Sequence, residues 1–209
     1  MKTFLSILAV VVVLAVVLMI GGCGTYNKLV GLKQGVDRSW SDVENVYQRR
    51  ADLIPNLVKT VEGAANFEKS TLTDVIKARQ QVTNVKLDPG QAPTDPAAMA
   101  QFQQSQDALS GALSRLLVTV ERYPDLKANA NFQELQAQLE GTENRIAVER
   151  RKFNETVQGY NTTVQQMPTV LFAGLLLGFP PRPYFAAKAG ADQAPEVNFQ
   201  FGSPQGATP

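Results

Sequence analysis

Near the middle of a long helical pattern stands Tyr47-Gln48-Arg49-Arg50-Ala51-Asp52-Leu53-Ile54-Pro55-Asn56-Leu57-Val58. Around it, apolar or aromatic residues recur in steps of three and four, at Val36, Trp40, Val43, Tyr47, Ile54, Leu57, Val61 and Ala64. This spacing predicts the seam of a helix packed lengthwise against other helices. Arg50 occupies a seam position, and Pro55 removes a backbone donor and crowds the carbonyl of Ala51. We therefore expect a kink or short break there, and a compensating partner for both irregularities.

Composition excludes several classes of chemistry. The chain has 209 residues, enough for one domain with a real core, and a net charge of +1, which argues against nucleic acid as a partner. It has no histidine, and its one cysteine is Cys23. Metal sites and nucleophilic pairs built on these residues are thereby removed. We predict no catalytic residues, no metal and no cofactor; an enzyme using Glu143 or Glu149 with an activating arginine is the least favoured hypothesis.

The N-terminus predicts attachment to a membrane. An uncharged apolar run from Phe4 to Ile20 is followed by Gly21-Gly22-Cys23-Gly24. One interpretation is a bacterial lipoprotein signal comprising residues 1–22, cut before Cys23, whose thiol then carries the lipid. The other is an uncleaved helix over about 4–22, just long enough to span a bilayer. A buried core helix fits such an apolar terminus poorly.

Capping and turn signals divide the rest into four long helices. The first is expected from about Asn27 to Ala64, and a capping box at Thr71 and Asp74 opens the second. After a loop over 86–94, Asp95 caps the third helix with Pro96 in its first turn, and Pro124 stops it. The fourth opens with a capping box at Asn131 and Glu134 and closes at Pro168. Short connections make neighbours antiparallel. The predicted fold is all-α, an elongated antiparallel four-helix bundle over residues 23–185.

The C-terminal part has two different compositions. Residues 169–179 are strongly apolar but too short to cross a membrane, so they either cover one end of the bundle or dock on a bilayer or partner. We favour the first interpretation. Residues 186–209 are rich in Gly, Pro, Ala and Gln and are predicted to form a flexible tail.

Polar residues interrupt the apolar stripes of the first and fourth helices midway, which suggests a shared polar layer inside the bundle. Together with the motif residues around them, the candidates for this binding or structural site are Arg49, Arg50, Asp52, Asn56, Glu143, Asn144, Arg145, Glu149, Arg150, Asn154, Tyr160 and Asn161. The favoured interpretation is that the layer fixes the register of long helices. The sharper alternative is a site for an anionic peptide or lipid headgroup.

Several motifs resemble one family. They are Tyr26-Asn27-Lys28-Leu29-Val30, residues 48–58, Thr142-Glu143-Asn144-Arg145-Ile146-Ala147-Val148-Glu149-Arg150, Phe153-Asn154, Tyr160-Asn161, Gly178-Phe179, Pro183-Tyr184-Phe185 and Pro195-Glu196-Val197-Asn198-Phe199. In this order they resemble the LemA family over nearly the whole chain from Tyr26 to Phe199. The resemblance implies a bacterial, membrane-attached, elongated helical bundle without established enzymatic activity. Cys23 makes this chain resemble a lipoprotein-type variant of the family, whereas many family members look as if they keep an uncleaved N-terminal anchor.

The expected function follows from these observations. We expect a non-enzymatic protein at the bacterial cell envelope, attached to the membrane with its bundle extracytoplasmic, that acts as a scaffold or binds a protein partner. The family resemblance implies, by genomic association alone, an envelope partner such as a membrane metalloprotease. The alternative is a binder of a small anionic ligand or lipid headgroup through the polar layer.

Overall fold

The computed structural model describes residues 2–64, 67–167, 169–173 and 178–186. Within the first 23 residues most side chains fall outside that description, including the side chain of Cys23. The described residues form helices and connecting segments without a strand, so the all-α class is confirmed. The helices are α1 Lys2–Glu62, α2 Lys69–Asn84, α3 Pro96–Val120, α4 Pro124–Lys127, α5 Ala130–Gln165 and α6 Val170–Ala173.

Helix α1 is longer than expected. It begins at Lys2 rather than near Asn27, and it continues through Pro55 to Glu62. Of the kink or short break expected at Pro55, the break is therefore wrong. Proline at position 55 cannot donate to the carbonyl of Ala51 four residues earlier. Arg79 of α2 supplies the missing donor: its Nε donates to that carbonyl oxygen at 3.1 Å. The backbone irregularity is thus stabilised from a neighbouring helix.

The start of α3 agrees with the sequence, because the Asp95 side chain accepts from the backbone N–H of Ala97 at 2.9 Å and Pro96 is in the first turn. The start of α5 differs. Its cap is Asn129, whose side-chain oxygen accepts from the N–H groups of Asn131 and Phe132 at 2.9 and 3.2 Å. The predicted capping box at Asn131 and Glu134 is therefore wrong, since both residues lie inside the helix.

The start of α2 also differs from the prediction. The helix begins at Lys69 after Glu68, whose side chain makes no capping bond. Thr71 and Asp74 therefore lie within the helix, and Thr71 is buried there. Ile76, which belongs to the predicted apolar face of α2, is exposed instead.

The long helices pack in antiparallel pairs. Trp40 of α1 contacts Phe153 of α5, and Arg50 of α1 contacts Glu143, so residue numbers run in opposite directions along this pair. Helix α2 packs on α3, and Glu68 just before α2 pairs with Arg122 just after α3, so this pair is also antiparallel. The predicted seam positions of α1 from Val36 to Val61 are buried, which confirms the periodicity.

The buried residues form two hydrophobic clusters. One is centred on Trp40 and includes Tyr47, and the other begins at Ile54 and extends to Val61 and beyond. Arg50 is a buried charged residue that lies on α1 between them.

The loop before α3 lies against α1. A turn at Asp88-Pro89-Gly90-Gln91 closes with the Gln91 N–H donating to the Asp88 carbonyl at 3.2 Å, and Gly90 takes the positive φ of 71° that this turn requires. The Gly90 N–H donates to Glu44 at 2.9 Å, and the N–H of Ala92 donates to Asp37 at 3.1 Å.

Some expectations concern the ends of the chain. Among the residues that the structure describes, no helix is long and apolar enough to cross a membrane. The lipid attachment concerns the Cys23 side chain, which is not described, and the tail beyond Ala186 lies outside the described residues. Of the apolar stretch over 169–179, Ala173 and Phe179 are buried and Val170 is exposed, while 174–177 are not described.

Candidate functional site

The Arg50 cluster joins three helices. The Arg50 side chain is only 1% exposed. Its Nη1 donates to Oγ of Ser110 on α3 at 2.7 Å and to Oε1 of Glu143 on α5 at 2.5 Å. Its Nη2 donates to the side-chain oxygen of Gln106 and to the Gln106 backbone carbonyl, the latter at 3.3 Å. Both terminal nitrogens of the guanidinium are therefore occupied by groups of the same chain.

The surroundings of the cluster are apolar on one side and open on the other. The Arg50 guanidinium lies over the Tyr47 ring, 5.1 Å from its centroid. Burial raises the pKa of the Tyr47 hydroxyl, although the positive charges of Arg150 and Arg50 oppose this shift. The Glu143 side chain is 42% exposed. It faces a crevice of about 450 Å³ between α3 and α5 that Glu140 also lines.

Six other candidates on α1 and α5 lie outside the Arg50 cluster. Asp52 accepts from the Gln48 side chain at 2.8 Å on the same helix. Glu149 accepts from Lys152 at 2.8 Å, and this hydrogen bond raises the pKa of the lysine. The remaining exposed candidates are Arg49, Asn56, Asn144 and Arg145. The structure thus brings Arg50 and Glu143 together and leaves these residues outside their cluster.

The remaining four candidates bind the C-terminal segment, which we define as residues 178–186. Asn161 pairs with both backbone groups of Arg182: its amide nitrogen donates to the carbonyl, and its oxygen accepts from the N–H, each at 2.8 Å. Asn154 pairs in the same way with Phe185, at 3.0 and 2.9 Å. Each asparagine side chain therefore makes the two hydrogen bonds that a residue of a neighbouring β-strand would make.

The two asparagines match the segment in spacing. They lie seven residues apart on α5, which corresponds to about 10.5 Å along a helix. Arg182 and Phe185 are three residues apart, which corresponds to about 10 Å of extended chain. About two helical turns therefore place both amides on one face, at a separation that matches the distance between Arg182 and Phe185.

Helix α3 adds a third amide to this arrangement. The Gln103 side chain pairs with both backbone groups of Ala186 at 3.0 Å. Arg150 also donates to the Ala186 carbonyl, at 3.1 Å. The Tyr160 hydroxyl donates to the Pro180 carbonyl at 2.9 Å. These bonds reach backbone atoms, so they hold the path of the segment independently of its side chains.

The side chain of Phe185 fills an aromatic socket. Its ring stacks on Trp40 at 5.9 Å between centroids and meets Phe153 edge-on at 5.4 Å. Phe102 of α3 lies at 6.3 Å, and the Arg150 guanidinium covers the ring at 4.7 Å. Rings from α1, α3 and α5 thus meet on one residue of the C-terminal segment.

Arg182 links the segment to the loop before α3. It is buried, and its Nη1 donates to the Ala92 carbonyl at 2.6 Å. Burial raises the pKa of the Tyr160 hydroxyl, and the positive charge of Arg182 opposes this shift. The segment is therefore fixed by its backbone, by Phe185 and by Arg182.

Sequence reasoning missed several members of these clusters. Gln106 carried a detectable signal, because it is a polar residue on the buried stripe of α3 between Phe102 and Leu109. Ser110, Gln103 and Arg79 lie on partly exposed positions where polar residues are ordinary. Arg182 lies in a proline-rich segment without periodicity.

The arrangement is one of internal binding. In the described part of the chain, no group of three or more His, Cys, Asp or Glu residues could hold a metal ion. The charged and amide groups bind other parts of the same chain. The described residues therefore define an all-helical protein with a buried polar cluster between two hydrophobic clusters and a docked C-terminal segment.

Comparison with known proteins places this chain. It belongs to the LemA family, whose model matches residues 39–199. It is 27% identical over 203 residues to magnetosome protein MamQ of Magnetospirillum gryphiswaldense, covering 90% of this chain and 72% of that protein. Magnetosome protein MamQ 2 of Paramagnetospirillum magneticum is 25% identical over 207 residues, with the same coverage. Protein LemA of Metamycoplasma hominis is 23% identical over 141 residues, covering 68% and 60%.

Proposed function

We propose that this chain is a non-enzymatic, membrane-attached scaffold or partner-binding protein of the bacterial cell envelope. Residues 1–22 are the signal or anchor, residues 23–185 form an elongated antiparallel four-helix bundle outside the cytoplasm, and 186–209 form a tail. Two observations support attachment: the uncharged apolar run from Phe4 to Ile20, and Cys23 behind it. Similarity to magnetosome proteins is consistent with a place at a membrane.

The observation that best supports the scaffold hypothesis is the set of hydrogen bonds that Arg50 makes to two other helices. Its terminal nitrogens bind Gln106 and Ser110 of α3 and Glu143 of α5. A buried polar residue with specific partners on neighbouring helices fixes their register, since a shift along the axis would leave it unpaired. This use of the polar group supports a structural role over ligand capture.

The alternative is a small anionic ligand or lipid headgroup held at the polar layer. The crevice beside the Arg50 cluster is about 450 Å³ in volume, but Glu140 and Glu143 line it. Two carboxylates repel an anion, and the guanidinium that would attract it is already paired. The geometry therefore favours the scaffold.

Attachment and partner binding are tested together by crosslinking in living cells, followed by mass spectrometry of captured proteins and of the N-terminal peptide. An acylated Cys23 peptide is expected, and the Cys23→Ala variant should then lack the acylated peptide and retain its first segment. An intact Met1 peptide would make the first segment an uncleaved anchor. A recurrent envelope protein, such as a membrane protease, is the expected partner.

The scaffold hypothesis also makes a negative prediction. Phospholipid extracts and cell-wall fragments should leave the Tm of the bundle unchanged, because a ligand that binds the folded state raises its stability. A rise of several degrees that disappears in a Glu143→Gln or Arg50→Lys variant would favour the ligand-binding alternative. Absence of any recurrent crosslinked protein would also favour the ligand-binding alternative.

A further inference from the structure

Exposed apolar side chains mark one end of the helical body. Tyr26 of α1 and Val170 of α6 are each 45% exposed, and Met167 between α5 and α6 is 71% exposed. Contacts bring their elements together. The Phe179 ring meets the Tyr26 ring at 5.6 Å, and the Phe179 N–H donates to the Ala173 carbonyl of α6 at 2.8 Å. We call this the basal surface, defined by Tyr26, Met167 and Val170.

The charge of this end is one-sided. Residues 24–36 of α1 contain no Asp or Glu, and neither do residues 156–167 and 169–173 around the end of α5 and α6, whereas Lys28 is present and exposed. Carboxylates occur throughout the opposite end, for example at Glu68 and Glu121. An apolar tip with a cation and without acids has the chemistry that anionic lipid surfaces attract.

Helix α1 sets the distance of this surface from a bilayer. The apolar run ends at Ile20, and α1 continues without a break to Tyr26, which corresponds to about 9 Å of rise. The headgroup layer on each side of a hydrocarbon core is about 5 to 8 Å thick. An uncleaved first segment in the core therefore places Tyr26 at the edge of the headgroup layer, where tyrosine is enriched. If the chain is cut before Cys23 instead, the lipid-carrying cysteine lies three residues before Tyr26, about 4.5 Å of helical rise, which also keeps Tyr26 within that layer.

We propose that the basal surface is a second membrane contact, resting in the headgroup layer of an anionic bilayer beside α1. This inference depends on the membrane attachment proposed above. Three partly exposed apolar side chains bind a bilayer weakly by themselves. Attachment through the N-terminus keeps them beside the surface at high effective concentration, so a weak contact becomes occupied. Two contacts, one at α1 and one at the α5–α6 connection, hold the bundle at a fixed inclination.

Tryptophan quenching tests the proposal on the full-length chain. The Met167→Trp variant is reconstituted with vesicles of phosphatidylglycerol and brominated phosphatidylcholine, whose bromines quench nearby indoles. Val118→Trp is the matched control, because Val118 is 72% exposed and α3 carries it to the opposite end. Val120, two residues further along α3, belongs to the same buried cluster as Val61, which lies about 52 Å along α1 from Tyr26. The native Trp40 is buried and gives the same background in both variants.

The Met167→Trp variant should lose its added emission on brominated vesicles, and Val118→Trp should keep it. Adding Lys28→Glu to Met167→Trp should weaken the quenching on anionic vesicles and leave it unchanged on neutral ones. Flotation of every variant with the vesicles measures attachment separately. Equal quenching at positions 167 and 118 in floating protein would refute the second contact and leave attachment standing. Protein that does not float would overturn both.

Discussion

The pairing of Arg79 with the Ala51 carbonyl is open to a direct energetic test. Pro55 leaves that carbonyl without its helical donor, and Arg79 Nε fills the position at 3.1 Å. Replacing Arg79 by Met retains much of the aliphatic stem and removes the donor. Because Ala51 is buried, its carbonyl is then left largely unsatisfied. A hydrogen bond to a charged donor contributes about 1.5–3 kcal/mol, and partial exposure of Arg79 places the expected loss at the lower end, about 1.5 kcal/mol.

The substitution Pro55→Ala restores a backbone N–H at position 55, which can donate to the same carbonyl. In that background Arg79→Met should cost less than about 0.5 kcal/mol, as surface substitutions do. The double-mutant cycle should therefore give a coupling of about 1 kcal/mol between the two positions. Exposed Arg145 offers the control, since Arg145→Met should be close to neutral in both backgrounds.

The measurement is urea unfolding of each variant followed by far-ultraviolet circular dichroism, with unchanged m values as the sign that the unfolded state is comparable. A coupling of zero would refute the reasoning, because Arg79→Met would then act through packing or surface charge rather than through the carbonyl that Pro55 leaves open.

Other predictions concern the two polar clusters. Arg50→Met should lower the free energy of unfolding by about 3 kcal/mol, at the lower end of the range for a broken buried ion pair because Glu143 is half-exposed. Adding Glu143→Leu should restore most of that free energy. Urea unfolding measures both variants, and a neutral Arg50→Met would contradict the pairing. Asn161→Ala should cost about 1–3 kcal/mol and speed amide exchange at Arg182, whereas the exposed Asn144→Ala should do neither; equal exchange in the two would contradict the pairing. Burial raises the pKa of Tyr47, so the stability it contributes is present below pH 10.0, its unfolded value, and is lost as pH rises through the higher folded value. Tyr47→Phe should flatten that alkaline loss in unfolding measured on both sides of pH 10.0, and parallel curves would exclude this origin.

Local signals in the sequence predicted the start of α3 correctly but not the start of α5. Asp95 with Pro96 identified the start of α3, because a capping aspartate and a proline in the first turn are both local features of the sequence. The capping-box spacing between Asn131 and Glu134 predicts a cap at Asn131, whereas the residue at that spacing from Asn129 is Phe132. Only the backbone geometry decides which asparagine is outside the helix.

The sequence predicted which residues belong to the candidate site better than it predicted which of them contact each other. Arg50 and Glu143 were both chosen, and they do meet. Asn154 and Asn161 were assigned to the same polar layer, but they bind the C-terminal segment instead. Their partners are backbone atoms, which every residue has, so no sequence pattern distinguishes the residues that receive such bonds.

The sequence by itself determined the all-helical class, the buried seam of α1 and the presence of a charge on that seam. These follow from the period of apolar side chains along one helix, which is a local property. Only the tertiary structure decided that Arg79 would complete the backbone beside Pro55, that Arg50 would join α3 to α5, and that residues 178–186 would lie across three helices. Those pairings depend on which helix faces meet in space, and periodicity within a helix carries no information about its neighbour.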